Sequence, residues 1–257
     1  MELFLDLLRS VVYGVIEGIT EWLPISSTGH MILAEQVLKF SLSAEFMEMF
    51  RVVIQLGAIM AVVVLYFKKL WPFCGDNGCD SGLAKHIRWP VLRLWLKIIV
   101  ACLPAAVLGL LLDDWMDAHF YNSVVVAVML IVYGIAFILI ERRPRVPATT
   151  KLSRITYKQA IIIGAWQVLA LIPGTSRSGA TIIGGLLCGM SRACASQFTF
   201  FLAIPVMAGA SGLKLVKFLV GGGVFTVAEI GALLVGCIVA FVVSIMAIRF
   251  LMDLSLI

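Results

Sequence analysis

Apolar residues fill this chain in long blocks that polar residues interrupt mainly at their ends. Blocks at Val52–Phe67, Ile98–Leu112, Val124–Ile140, Phe198–Ala210 and Val224–Ile248 each predict a membrane-crossing helix. Such a helix needs about 20 mostly apolar residues, and the shorter blocks reach that length only with their borders. Two stretches break the pattern. Glu17 and Glu21 stand one helical turn apart, followed at once by Pro24-Ile25-Ser26-Ser27-Thr28-Gly29-His30. Far downstream comes Pro173-Gly174-Thr175-Ser176-Arg177-Ser178-Gly179-Ala180-Thr181. Each proline breaks a helix where the motif begins. Irregular backbone at membrane depth is tolerated only when buried in protein or lining a polar cavity. Both stretches therefore predict re-entrant helical hairpins whose tips face each other, with new helices opening near Thr28 and near Gly179.

The two stretches are related. Gly14-x-x-Glu17 leads through Leu23-Pro24 to Ser26-Ser27, and Gly164-x-x-Gln167 leads through Ile172-Pro173 to Thr175-Ser176. The offset from Glu17 to Gln167 is 150 residues, which marks a duplicated half and not a solenoid repeat. Three crossing helices, roughly 45–67, 92–112 and 120–140, lie between the copies. An odd number inverts the second copy, as in the inverted repeats of many transporters. The predicted fold is an all-α polytopic membrane helix bundle in one integral membrane domain, residues 1–257. It has two inverted repeats, 1–140 and 155–257.

Composition agrees: 61% of residues are hydrophobic and 14% are charged, where soluble domains carry about 25% charged. The N-terminus carries Glu2 and Asp6 in place of a basic region, so no cleavable signal is expected. The net charge of +5 does not imply nucleic acid, because of where it lies. Six of the twenty Lys and Arg fall in Lys68–Lys97 and six in Arg142–Lys158, while Asp113–His119 has three Asp and no Lys or Arg. Positive-inside patterning puts both basic loops in the cytoplasm and the acidic stretch, read as a loop, outside. The N-terminus then lies outside. Lys214 and Lys217, near an outer helix end, fit this less well. Of the six cysteines, Cys102, Cys188 and Cys237 read as packing residues. Cys74 and Cys79, beside Asp76 and Asp80, read as reduced thiols in a solvated turn more readily than as half of a zinc site.

Ionisable residues within apolar stretches are functional-site candidates. Glu17 and Glu21 share a helix face. Two adjacent carboxylates repel, and a divalent cation, Mg²⁺ or Ca²⁺, relieves the repulsion while bridging to a diphosphate. Snorkelling to water is the alternative. Ser26, Ser27 and Thr28 either cap a helix or contact phosphate. Ser27 and His30, at i,i+3, can form a hydroxyl–base pair, or His30 is a packing residue. The Arg177 fork matches phosphate oxygens, with Ser176, Ser178 and Thr181 adding donors; an ion pair to Glu17 or Glu21 is compatible with that. Gln55 and Glu229 suggest interhelical hydrogen bonds. Glu45 and Glu48 read as pocket rim or surface. Trp22, Trp71, Trp89, Trp95 and Trp115 read as interfacial anchors.

Glu17-Gly18-x-x-Glu21-Trp22-Leu23-Pro24-x-Ser26-Ser27-Thr28-Gly29-His30, together with Pro173–Thr181, resembles the undecaprenyl-pyrophosphate phosphatase, or bacitracin-resistance protein, family. Both signatures are present without gaps, and Ser196-Gln197-Phe198 fits as well. The resemblance implies a multi-pass hydrolase of the bacterial inner membrane with its site open to the outer side. It would release orthophosphate from a C55 polyprenyl diphosphate, recycling the carrier for cell-wall synthesis. It also implies a metal on Glu17 and Glu21. Catalysis would rest on Ser27, His30, Arg177 and Glu21, and phosphate binding on Ser26, Thr28, Gly174, Ser176, Arg177, Ser178 and Thr181. The partners so implied are the lipid substrate and the bilayer, with no nucleic acid; a homo-oligomer stays open. Family members usually have a further apolar helix after the segment ending near Leu254, whereas this sequence stops at Ile257. A transporter or flippase of polyprenyl phosphate is the competing reading, since the architecture and the anion-binding residues would serve it too. It has no need of a nucleophile beside a base.

Overall fold

The computed structural model of the chain describes residues 2–74, 86–120, 122–142 and 146–254, without the side chains of 113, 114, 117 and 141. Eleven α-helices are found among them. The first half holds α1 (Glu2–Thr20), α2 (Ser27–Glu35), α3 (Ala44–Val53), α4 (Gln55–Leu65), α5 (Phe67–Leu70), α6 (Trp89–Phe120) and α7 (Ser123–Glu141). The second holds α8 (Tyr157–Val168), α9 (Arg177–Leu187), α10 (Arg192–Val220) and α11 (Val227–Leu254). Five spans are long and apolar enough to cross a membrane: Ala44–Leu65, Trp89–Leu112, Ser123–Ile140, Arg192–Val220 and Val227–Asp253. These are the five predicted crossings. The protein is an all-α polytopic membrane bundle, and the outward faces of α7 (Val128, Ile131, Ile135) and α11 (Leu234, Ile238, Val242) are exposed aliphatic surface suited to lipid.

Small residues set how closely the helices approach. Gly14 and Gly18, one turn apart on α1, lie against α11 so tightly that a Cβ on either would come 2.7 Å from Val239 Cβ or Val243 Cβ. That small-x-x-x-small spacing lets two backbones pack without a ridge between them. Ser244 Oγ donates to Gly18 O across the same contact at 3.3 Å. Gly57 on α4 abuts the Cys237 carbonyl, and Gly164 on α8 abuts the Ala101 carbonyl on α6. The halves thus exchange partners: α1 packs on α11, α8 on α6, and α4 on both α10 and α11. Gly57→Ala is expected to destabilise the protein by about 1–3 kcal/mol through overpacking against a backbone that cannot yield. A lower unfolding midpoint in detergent would register it; an unchanged midpoint would contradict the close α4–α11 contact.

Several expectations are corrected. The acidic stretch Asp113–His119 is not a loop but the last turns of α6. There Trp115 and His119 stack at 4.8 Å, and His119 Nδ1 lies 2.8 Å from Trp115 O. Trp22 is no interfacial anchor: it is 2% exposed and meets Phe200 edge-on at 5.1 Å, inside the main apolar cluster. The turn after α1 folds it inward. Trp71, Trp89 and Trp115 are about half exposed, as anchors would be. Trp95 donates to Leu70 O at 2.9 Å. Cys74 is disulfide-bonded, which overturns its reading as a reduced thiol. The thiol is oxidised where the chain doubles back, with Cys74 N donating to His86 O. Cys79, Asp76 and Asp80 lie outside the described residues.

Candidate active site

Both polar stretches end one helix and start another. α1 stops at Thr20, turns occupy 21–25, and Ser26 caps α2 by accepting from Gly29 N at 3.2 Å. α8 stops at Val168, a 3-10 turn follows at Leu169–Leu171, and Ser176 caps α9 by accepting from Gly179 N at 3.1 Å. Capping is what Ser at these positions does best, since it satisfies an amide that the first helical turn leaves free. Ser26 carries a φ of 61°, the one positive value at a non-glycine position among the described residues. Its carbonyl is held by His30, whose backbone N and ring Nδ1 lie 3.1 and 2.8 Å away. A carbonyl only accepts, so Nδ1 carries the proton and Nε2 is the basic nitrogen.

The two tips meet. Ser178 Oγ lies 3.0 Å from both Glu21 O and Leu23 O, and Ser176 Oγ lies 3.3 Å from Leu23 O. These hydroxyls, which the sequence suggests as phosphate donors, join the second tip to the backbone of the first. Val126 of α7 sits between the tips: a Cβ on Gly174 would come 2.7 Å from its Cα, and one on Gly29 would come 3.2 Å from its Cγ1. Gly174, at φ +88°, is there because this approach and this backbone exclude a side chain. Thr181 Oγ1 donates to Arg177 O at 2.9 Å and accepts from Thr199 Oγ1 at 3.0 Å, which fixes α9 on α10.

Glu21 is the centre of the contact. Its Oε1 accepts from Arg177 Nη2 at 2.7 Å, and its Oε2 accepts from Ser27 Oγ at 2.6 Å. One carboxylate thereby joins a hydroxyl of the first motif to the guanidinium of the second, with Arg177 and Glu21 each about 6% exposed. Arg177 Nη1 also reaches Thr199 O at 3.4 Å. The expected Ser27–His30 pair does not form. The α2 cap turns the imidazole back onto Ser26 O, and the Ser27 proton points to the carboxylate instead.

A cavity of about 440 Å³ opens at this junction. Its polar wall is Glu21, Ser26, Ser27, Thr28, Thr175, Ser176 and Arg177, with Gln55 and Gln167. The remainder is apolar: Val52 on α3, residues from Cys102 to Leu110 on α6, Ala170 and Leu171, and residues from Pro205 to Leu213 on α10. Glu17, His30, Gly174, Ser178 and Thr181 are not part of this wall. Gln55, expected to bond between helices, reaches Thr28 Oγ1 at 3.5 Å and Arg51 O at 3.2 Å. Glu229, read the same way, does so with Ser43 Oγ at 3.1 Å. Sequence reasoning passed over Gln167, noted only as the repeat counterpart of Glu17. It also passed over Arg51, buried in α3 and paired with Glu35 at 2.7 Å. The repeat alignment was the signal that could have found Gln167; nothing local marks Arg51.

The residues fit a hard cation. Glu17 is fully buried, and neither of its carboxylate oxygens has a hydrogen-bond partner. A sealed carboxylate without a partner is unfavourable as an anion. Glu17, Glu21 and Ser27 offer only oxygen donors, the kind that Mg²⁺ and Ca²⁺ take. No cluster of three or more His, Cys, Asp or Glu occurs among the described residues. A Mg²⁺ that shares its coordination with substrate phosphates needs only one or two carboxylates.

Comparison with known proteins adds a family. The model of the family described as bacitracin resistance protein BacA matches residues 10–255. A protein of Enterococcus faecalis (strain ATCC 700802 / V583) named undecaprenyl-diphosphatase is 60% identical over 253 residues, covering 98% of this chain and 90% of that protein. Proteins of the same name from Lactococcus lactis subsp. lactis (strain IL1403) and Streptococcus thermophilus (strain ATCC BAA-250 / LMG 18311) are 55% and 54% identical. The matches cover 97% of this chain in both cases, and 89% and 85% of those proteins.

Proposed function

The chain belongs to the bacitracin resistance protein BacA family, and on that premise we propose that it removes the terminal phosphate of undecaprenyl diphosphate. The products are undecaprenyl phosphate and orthophosphate. This activity recycles the lipid carrier for cell-wall synthesis and confers bacitracin resistance. The relatives' printed name supports the substrate. The observation that carries the chemistry is Glu21 bonded at once to Ser27 Oγ and to Arg177, at 2.6 and 2.7 Å, on the polar wall of a cavity that is otherwise apolar. The prenyl chain suits the α6 and α10 wall, and the diphosphate suits the tips.

In this reading Glu21 is the general base, the role that sequence reasoning gave to His30. Its Oε2 takes the Ser27 proton as Oγ attacks the terminal phosphorus. The new Oγ–P bond forms as the bridging P–O bond breaks, and that electron pair leaves on the lipid monophosphate. The proton on Glu21 passes to the departing phosphate. The carboxylate then takes a proton from the attacking water and returns it to Oγ, as the serine phosphate is hydrolysed. Arg177 balances the charge on the transferring phosphoryl group, which needs little beyond in-line placement and electrostatic support. The Ser26 and Ser176 caps hold the two helix starts at the substrate, where free amides favour anions. A divalent cation on Glu17 and Glu21 would supply further positive charge to the phosphate oxygens. The halves 1–140 and 155–257 are inverted repeats in this reading, and the cavity faces the outer side of the bacterial inner membrane.

Phosphate release from undecaprenyl diphosphate in detergent tests the activity, because detergent abolishes vectorial transport but not hydrolysis. Wild type is expected to turn over, and to slow when a chelator removes divalent cations. Arg177→Ala is expected to lower kcat by about 10²–10³. Wild type without phosphate release would sink the hydrolase; Arg177→Ala at near-normal kcat would sink the phosphate clamp.

A further inference from the structure

We propose that the Gln167 side-chain amide is a hydrogen-bond donor to the substrate's diphosphate, a positioning and specificity role that rests on the hydrolase reading above. Gln167 lies near the end of α8, one turn before the second tip begins to form. It is 2% exposed, and neither Nε2 nor Oε1 has a partner. Buried polar groups nearly always have one, and an amide sealed away without it is costly. Both atoms are on the residue that lines the cavity beside Thr175, Ser176 and Arg177. The missing partner is therefore something that enters the cavity.

Charge identifies that partner as an anion. The Nη2 of Arg177 is already engaged by Glu21 at 2.7 Å, so the guanidinium is shared between the protein and any bound phosphate. The Gln167 carboxamide offers two N–H donors and no charge. The repeat sharpens the point. The first copy has the carboxylate of Glu17 where the second has this amide. A carboxylate suits a cation; a second carboxylate on the cavity wall, beside Glu21, would repel a diphosphate. The substitution of amide for acid makes one copy the cation side and the other the anion side.

Gln167→Met keeps the length and removes the donors. Gln167→Glu keeps the shape and adds negative charge. Phosphate release over a range of undecaprenyl diphosphate concentrations should give Gln167→Met a KM raised about tenfold, the size of one lost hydrogen bond to a charged group. Gln167→Glu should lose more than Gln167→Met in kcat/KM, because it adds repulsion to the lost donor. A purely structural amide would lower the unfolding midpoint on replacement by Met. A substrate-facing orphan predicts a midpoint equal to or above wild type, since the unpaired amide is gone. Gln167→Met with KM within twofold of wild type, or with a lowered midpoint accounting for its loss, overturns the proposal while active wild type leaves the hydrolase intact. Wild type that releases no phosphate removes both.

Discussion

Ser27→Ala is expected to reduce phosphate release by about 10⁴-fold or more, the scale on which losing an activated nucleophile is felt. Ser27 Oγ donates to Glu21 Oε2 at 2.6 Å. A short hydroxyl–carboxylate bond of this kind both aligns the oxygen and provides a base for its proton. Alanine keeps the start of α2, because the cap is Ser26 and not Ser27. The fold should therefore survive with a modest loss, about 1–2 kcal/mol for the missing hydrogen bond. Single-turnover phosphate release in detergent, beside an unfolding curve, separates the two effects. Release within about tenfold of wild type would mean that a water held by Glu21 attacks directly, and that the serine only positions it.

Glu21→Gln is expected to lower kcat by about 10³–10⁴, a general-base contribution with the charge balance lost as well. Gln has a single acceptor oxygen where Glu21 has two, one bonded to Arg177 and one to Ser27. One of those contacts must fail or, at Ser27, reverse so that the hydroxyl accepts from the amide; neither neighbour then faces a base. Arg177 would also remain buried without its anion, a situation that typically costs about 3–5 kcal/mol. Rates must accordingly be referred to folded protein, judged by elution as a single species and by the unfolding midpoint. A folded Glu21→Gln protein with kcat within tenfold of wild type would transfer the base role elsewhere, and His30 Nε2 is the next group to try.

What the chain disclosed about its site depended on how local the relevant physics was. Pro24 and Pro173 break helices by steric exclusion, so the sequence itself marks both breaks, and α1 ends at Thr20 and α8 at Val168. Ser26 and Ser176 cap the helices that follow because a hydroxyl three residues before a free amide reaches it. The expected Ser27–His30 pair was also a local inference, and it failed. The i,i+3 spacing puts both groups near one face, but the imidazole bonds to the Ser26 carbonyl and Ser27 to a carboxylate six residues back. Ser178 and Thr181 are polar in the right motif, yet the contact between the two tips and the α9–α10 contact engage their hydroxyls. Trp22 followed the rule for interfacial aromatics until the turn at 21–25 folded it against Phe200.

The sequence alone determined that the protein crosses a membrane, which five blocks do so, where two of its helices break, and which polar residues make those breaks worth attention. Each of these follows from desolvation cost or backbone sterics acting over a few neighbouring residues. The fold alone decided which of those polar residues touch. Glu21 and Arg177 are 156 positions apart, and no periodicity encodes that one carboxylate would take both the guanidinium and the Ser27 hydroxyl. Likewise Gln167 stands out only in the fold, where it is buried on the cavity wall with neither amide atom partnered. Pairing in a sealed interior is a competition among all donors and acceptors that packing brings within about 3 Å, and only the assembled bundle fixes who competes.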